Sequence, residues 1–235
     1  MGAGTQLALF PQAYMQKPIY SFAIFSRRGM IGCMRFQPIL VPGWKDSGPG
    51  HWQSRWEHCL PHARRVRQPD WEAPDPAVWN AAVASYVDSA ECPVLLIAHS
   101  LGCLAVVNLP VPLHAKVAGA LLVAPADVEQ ADMPECLRVF APVPGHSLRF
   151  QSVVVASDND PYCSLERARE FAAAWGSRFE LVPEGGHINA ESGFGDWPQG
   201  LKLLAALRRR AVWRVTPPLP RVPPVPAVAE ASWPR

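Results

Sequence analysis

No stretch of this 235-residue sequence is apolar for anything near the ~20 residues that cross a bilayer, so no segment reads as a transmembrane helix. Charge is scarce too. Asp, Glu, Lys and Arg make up 18% of the chain against 49% hydrophobic residues, a balance that excludes wholesale disorder. No C-x-x-C occurs, and no Cys/His cluster has zinc-ligand spacing, so neither a metal nor another cofactor is called for. Internal repeats are absent, which excludes a repeat array. Acidic residues are missing from residues 1–37, where Lys17, Arg27, Arg28 and Arg35 stand alone, and only Glu230 faces six arginines in 208–235. The net charge of +2 therefore hides an acidic middle: residues 38–207 hold 12 basic and 19 acidic residues, net −7. The pI of 8.3 is no argument for nucleic-acid binding.

The ends differ from the middle in composition. Residues 1–37, with Pro18 to Phe25 as their apolar part, are too short and poorly flanked for a secretory signal. They read as a translated leader, with Met30 or Met34 as the start, in preference to a transit peptide. Residues 211–235 hold seven prolines and read as an extended, disordered tail. A single folded domain is expected at 38–210. Cysteines 33, 59, 92, 103, 136 and 163 are scattered, and Cys92 and Cys103 flank a buried-looking strand, so a reducing, cytoplasmic location is expected.

Short apolar runs alternate with helical patterns through the middle. Strands are expected at 39–41, 94–98, 118–124, 152–157 and 179–182. Helices are expected at 52–60, with Trp52, Trp56 and Leu60 on one face, at 76–87 behind Asp75 and Pro76, at 164–175 and at 197–208. Ser164 and Arg167 stand where a capping box begins. This alternation means an α/β fold: a doubly wound, mostly parallel sheet of about six strands. Ligands of such sheets bind beyond the carboxyl ends of the strands, in the loops after 41, 98, 124, 157 and 182.

Chemistry-bearing residues fall in those loops. Ala98-His99-Ser100-Leu101-Gly102 leaves a strand for an apolar helix, the small-x-Ser-x-Gly pattern of a nucleophile elbow, with Ala98 in place of the usual first glycine. A serine hydroxyl needs a base, and the base needs an orienting acid. The chain order Ser, acid, His is met by Ser100, then Asp158 or Asp160, then His187, the one histidine in the last post-strand loop. Asp160, before a proline and deeper in its loop, is preferred, with Asp158 as the alternative. Oxyanion donors are expected from the backbone N–H groups of Leu101 and of Trp44, in the glycine loop that follows the first strand. Gly43, His51, Trp52 and Tyr162 are candidates for the substrate pocket. His99 is expected to be a buried neighbour, Cys103 and Cys163 to lie outside the elbow, and Asn189, Glu191 and Ser192 to hold the His187 loop.

These residues also carry a resemblance. Val41 to Trp44, His51-Trp52-Gln53, Trp56, Ala98 to Cys103, Gly119 to Pro125, Ala156 to Tyr162 and Gly186 to Gly193 resemble the small α/β-hydrolases related to retinoblastoma-binding protein 9, in the bacterial YdeN-like branch. The resemblance covers about 38–207. It implies a compact serine hydrolase of the α/β-hydrolase fold without a large lid domain, with its triad on Ser100, Asp160 and His187, acting on small acyl esters. One departure stands out. Pro110 and Pro112 fall where the helix after the elbow would continue, so that helix is expected to be short. The retinoblastoma-protein partner is not implied, because Leu101-Gly102-Cys103-Leu104-Ala105 lacks the acid of an L-x-C-x-E motif.

The expected activity is hydrolysis of a small-molecule carboxylic ester or thioester through an acyl-enzyme. Amide cleavage would use the same groups, and a binding or regulatory module with little turnover is the alternative. Nucleic-acid and membrane partners are not expected, and protein partners are left open. So little chain lies between residues 103 and 150 that compact or exposed acyl groups are favoured over long chains in a tunnel.

Overall fold

A computed structural model describes residues 36–215. Most of the expected N-terminal extension and proline-rich tail lies outside those residues, but Phe36 packs in the core, Gln37 begins the first strand and 211–215 continue the last helix, so the folded part starts and ends beyond the expected 38–210. In chain order the elements are β1 (Gln37–Val41), α1 (Trp52–Cys59), β2 (Arg64–Arg65), α2 (Pro76–Asp88), β3 (Val94–His99), α3 (Leu101–Val107), β4 (Val117–Val123), α4 (Glu135–Arg138), β5 (Ser152–Ser157), α5 (Leu165–Trp175), β6 (Arg178–Val182) and α6 (Pro198–Val215).

The six strands form one sheet in the order β2-β1-β3-β4-β5-β6, and every pairing is parallel. β3, β4 and β5 are buried along almost their whole length, which is why they read as unbroken apolar runs. Alternate residues feed two layers. Ile39, Leu96, Leu122 and Val154 pack on the face covered by Trp79, Leu104 and Phe171, while Leu40, Ile97, Val123 and Val155 pack on the face covered by Trp52, Trp56 and Leu207.

Register decides where the loops meet. Val41 pairs with Ala98, Ala98 with Leu122, Val123 with Val155, and Ser157 with Val182, so the carboxyl ends of five strands lie along one edge. The chain runs outward from β1 to β2, then crosses back to β3. That reversal opens the crevice between the loops after β1 and β3, the place where such sheets bind ligands.

Local signals explain the helix ends. Asp75 accepts from the Val78 N–H at 2.9 Å, and Pro76 occupies the first turn of α2. Ser164 accepts from the Arg167 N–H at 3.1 Å, but the expected capping box does not close, because Arg167 has no acceptor to return the bond. Its guanidinium instead pairs with Asp127, Glu129 and Glu170. α3 is only seven residues long and gives way at Pro110 to a 3-10 turn over Val111–Lys116, as the prolines predict. α6 runs to Val215, past the boundary expected at 210, and the tail prolines begin only at Pro217. The two-residue β2 and four-residue α4 are too short to leave a periodic signal and were not expected.

Candidate active site

Ser100 stands between β3 and α3 with φ 54° and ψ −126°, a left-handed conformation that costs a non-glycine residue about 1–3 kcal/mol. Its N–H donates to Val123 O at 3.0 Å, so the ladder to β4 holds the turn from below. Gly102 cannot be replaced: a Cβ there would overlap the carbonyl oxygens of Val41 and Pro42. Gly43 is equally constrained, since its Cβ would meet the Ser100 Cβ at 2.8 Å. Ala98 fits the first small position of the elbow, fully buried between Val41 and Leu122.

The structure brings Ser100, His187 and Asp160 together from three loops. Ser100 Oγ lies 2.9 Å from His187 Nε2, and His187 Nδ1 lies 2.9 and 3.0 Å from the two carboxylate oxygens of Asp160. An ionised carboxylate only accepts, so Nδ1–H donates to Asp160 and the neutral imidazole keeps Nε2 free to accept from the serine hydroxyl. The Asp160 side chain is 1% exposed. It also accepts from the Tyr162 N–H at 2.9 Å, which fixes its rotamer. Asp158, the alternative acid, is not against the imidazole; its carboxylate accepts from the Glu184 N–H at 2.7 Å and ties the acid loop to the histidine loop. Asn159 does the same through the Gly186 N–H at 2.6 Å. The histidine loop is held by Ser192, whose hydroxyl accepts from the His187 N–H at 3.2 Å and donates to Asn189 Oδ1 at 2.9 Å. No such bond involves Glu191, which was expected to share that task.

Two further histidines stack beside His187. His99 is buried and donates from Nε2 to His187 O at 2.9 Å, and its ring centre lies 4.8 Å from that of His187. His51 packs edge-on against His99 at 4.7 Å. Burial, followed by the neighbouring Arg65, lowers the His51 pKa to about 4, and burial with His187 nearby holds His99 well below the ordinary imidazole value. Both are neutral. Burial likewise lifts the Cys103 thiol well above its ordinary value and Cys163 up to about 12, so neither supplies a thiolate.

The pocket candidates divide. Tyr162 is 39% exposed and stands edge-on to His187 at 4.5 Å, at the mouth of the site. Trp52 does not line the pocket: it is fully buried, donates from Nε1 to Ile188 O at 2.8 Å, and packs on Trp56 and Trp197 as a strut under the histidine loop. His51 is also buried and acts as the N-cap of α1, with Nδ1 accepting from the Gln53 N–H at 3.1 Å. Trp44 is half-buried, and its indole donates to Glu72 O at 3.0 Å. Neither the Trp44 nor the Leu101 backbone N–H has a partner among the described residues.

Sequence reasoning passed over Gln53 and Arg65. Gln53 is completely buried, and Arg65 carries a side chain only 5% exposed. One signal pointed to Gln53: it stands three residues before Trp56, on the apolar face of α1, where an amide needs buried partners. Nothing distinguishes Arg65 from its neighbours Arg64 and Arg67.

The serine hydrolase family matches residues 38–206. This chain is a serine hydrolase. It stands in the YdeN-like group: a YdeN-like hydrolase from Pectobacterium atrosepticum is 38% identical, with 75% of this chain and 92% of that one covered and a TM-score of 0.67. The ydeN product of Bacillus subtilis shares the fold at 20% identity, covering 74% and 100% with a TM-score of 0.60. Est1E from Butyrivibrio proteoclasticus shares it at 12% identity, covering 77% and 88% with a TM-score of 0.54. No curated protein matches the sequence. Among the described residues of this serine hydrolase, no helix is long and apolar enough to cross a membrane, and no group of three His, Cys, Asp or Glu is placed to hold a metal ion.

Proposed function

We propose that this serine hydrolase cleaves small carboxylic esters or thioesters through an acyl-enzyme formed on Ser100. The observation that carries the proposal is the unbroken line from Ser100 Oγ through His187 to Asp160, with each contact at 2.9–3.0 Å. That geometry favours turnover over a binding module that merely keeps the scaffold. Ser100 Oγ attacks the carbonyl carbon while its proton passes to His187 Nε2. The carbonyl oxygen becomes an oxyanion, met by the N–H groups of Leu101 and Trp44. Asp160 keeps the imidazole in the tautomer that can accept and stabilises the imidazolium once formed. The tetrahedral adduct then collapses, breaks the bond to the leaving group, and gives that group the proton from His187. Water repeats the sequence on the acyl-enzyme, releasing the acid and restoring Ser100. Amides would pass through the same adduct, and an ester leaving group needs less assistance.

The substrate enters beside Tyr162 and the glycine loop. The only helices between residues 103 and 150 among the described residues are the end of α3, the 3-10 turn and α4, a small cap that suits compact acyl groups. We assign the hydrolase domain to residues 38–210, with α6 carrying it to Val215, and we extend its kinship to retinoblastoma-binding protein 9 on the motifs quoted above. The five cysteines among the described residues are free, in keeping with a reducing cytoplasmic compartment. A fluorophosphonate probe should label the protein, and labelling should vanish in Ser100→Ala; a label that survives that change refutes the assignment. A panel of p-nitrophenyl esters should show the highest kcat/KM at short acyl chains.

A further inference from the structure

The proposed chemistry leaves unused a polar network buried under the glycine loop. At its centre is Gln53. Its amide nitrogen donates to Val41 O at 3.2 Å and to Ile97 O at 2.9 Å, and its amide oxygen accepts from Ser47 Oγ at 2.7 Å. Val41 ends β1 and Ile97 lies near the end of β3, so one side chain fastens together the strands that launch the glycine loop and the elbow. Ser47 is gripped a second time, at its carbonyl oxygen, by Ser54 Oγ at 2.7 Å and by Arg65 Nη2 at 2.6 Å. Arg65 is oriented in turn by Asp46, Glu57 and Ser54.

The grip matters because of what lies between Gly43 and Ser47. Lys45 and Asp46 both adopt left-handed backbone, with φ 63° and 61°, a pair of conformations that side chains disfavour. Backbone bonds close the turn, from the Asp46 N–H to Gly43 O at 3.2 Å and from the Lys45 N–H to Trp71 O at 3.1 Å, and Ser47 is the end at which buried side chains grip it. The turn follows Trp44 directly, and Gly43 before it packs so near Ser100 and the Leu101 N–H that a Cβ would have no room there. An oxyanion donor contributes fully only when it is in place before charge develops, because moving it during the reaction consumes the stabilisation it gives.

We infer that Ser47 and Gln53 are positioning residues of the oxyanion site: they hold the Trp44 N–H where the oxyanion forms, and they set the rate of acyl transfer without touching substrate. This rests on the acyl-enzyme reading above.

The test compares wild type with Ser47→Ala, which removes one hydroxyl and leaves both strand contacts of Gln53, and with Ser54→Ala, which cuts a different bond to the same residue. Three quantities are measured: kcat and KM on p-nitrophenyl acetate, the second-order rate of fluorophosphonate labelling, and inhibition by a trifluoromethyl ketone, whose adduct carries an oxyanion. In Ser47→Ala, kcat/KM and the labelling rate should fall about 10–100-fold, less than the complete loss of one oxyanion donor. The ketone should weaken by the same factor, with KM within about two-fold of wild type. Ser54→Ala should move the same quantities in the same direction by a smaller factor. If Ser47→Ala does not fold, Ser54→Ala decides alone. A folded variant with unchanged kcat/KM and unchanged ketone affinity overturns the inference and leaves the triad standing, as does a loss of kcat without a matching loss of ketone affinity. Wild-type protein that fails to label at all overturns the reading on which the inference rests.

Discussion

The acid loop after β5 and the glycine loop after β1 both border the candidate site and are held by different means. From Ser157 to Asp160, four consecutive polar side chains bond backbone N–H groups nearby or in the adjoining histidine loop: Ser157 takes Gly185, Asp158 takes Glu184, Asn159 takes Gly186 and Asp160 takes Tyr162. These are short side chains acting through turn chemistry, and the two loops meet because Ser157 pairs with Val182. The glycine loop supports itself only through backbone turns, Asp46 N–H to Gly43 O and His51 N–H to Gly48 O. Its side-chain anchors, Gln53 and Arg65, come from α1 and β2, and the carbonyls of Trp71 and Glu72 hold Lys45 and Trp44; all reach it only once the sheet and the first helix are in place. A loop that carries its own anchors tolerates changes elsewhere in the fold; a loop anchored by distant side chains transmits them.

The largest expected effect separates roles within the acid loop. Asp160→Asn keeps an acceptor for the Tyr162 N–H but destroys the charge behind His187, and should lower kcat by about 10⁴-fold with little change in melting temperature. Full activity in that variant would return the orienting role to Asp158. Gly102→Ala drives a methyl into the backbone of Val41 and Pro42, so it should cost more than about 3 kcal/mol in urea unfolding and disrupt the elbow and the glycine loop together.

The third expectation concerns pH. His51 titrates near 6.5 when unfolded and at about 4 when folded, so between those values the unfolded chain binds more protons. Stability is therefore fully present above pH 6.5 and is lost as pH falls toward 4, by an amount on the order of 3 kcal/mol for this residue. His99 adds a loss of the same sign. Melting temperatures measured from pH 7 to 4 should fall steeply, and His51→Asn should flatten the curve; an unchanged slope would mean that His51 is not buried as a neutral group. The glycine loop sits on that histidine through Gln53, so activity should decline along with stability. Smaller still is Asn159→Ala, which frees the Gly186 N–H and should cost about 1–2 kcal/mol and a modest part of kcat. Smallest is Asp158→Ala, about 1 kcal/mol, with kcat within a few-fold of wild type. A large loss of kcat there would show that the acid loop is less self-supporting than its bonds indicate.

Much of the site was legible before folding because its signals are local. The small-x-Ser-x-Gly turn, the Asp-Asn-Asp-Pro run and the Gly-Gly-His run each declare themselves within a few residues, and chain order ties them to strand ends. Trp52 was misplaced for the converse reason: its position after a glycine loop suggests a pocket wall, but packing on Trp56 and Trp197 draws it into the core. Arg65 had no signal at all, since its role depends on pairing between β1 and β2, two residues long.

By itself the sequence determined the class of fold and the order in which Ser100, the acid loop and His187 arrive at strand ends, since apolar periodicity and turn residues are properties of neighbours along the chain. Turn chemistry already preferred Asp160 to face the imidazole, whereas tertiary structure alone decided which tryptophan is a strut and which buried amide holds the glycine loop. Those choices are made by strand register and helix packing, which bring together residues dozens of positions apart, and the side chains concerned carry no mark of it until the sheet has formed.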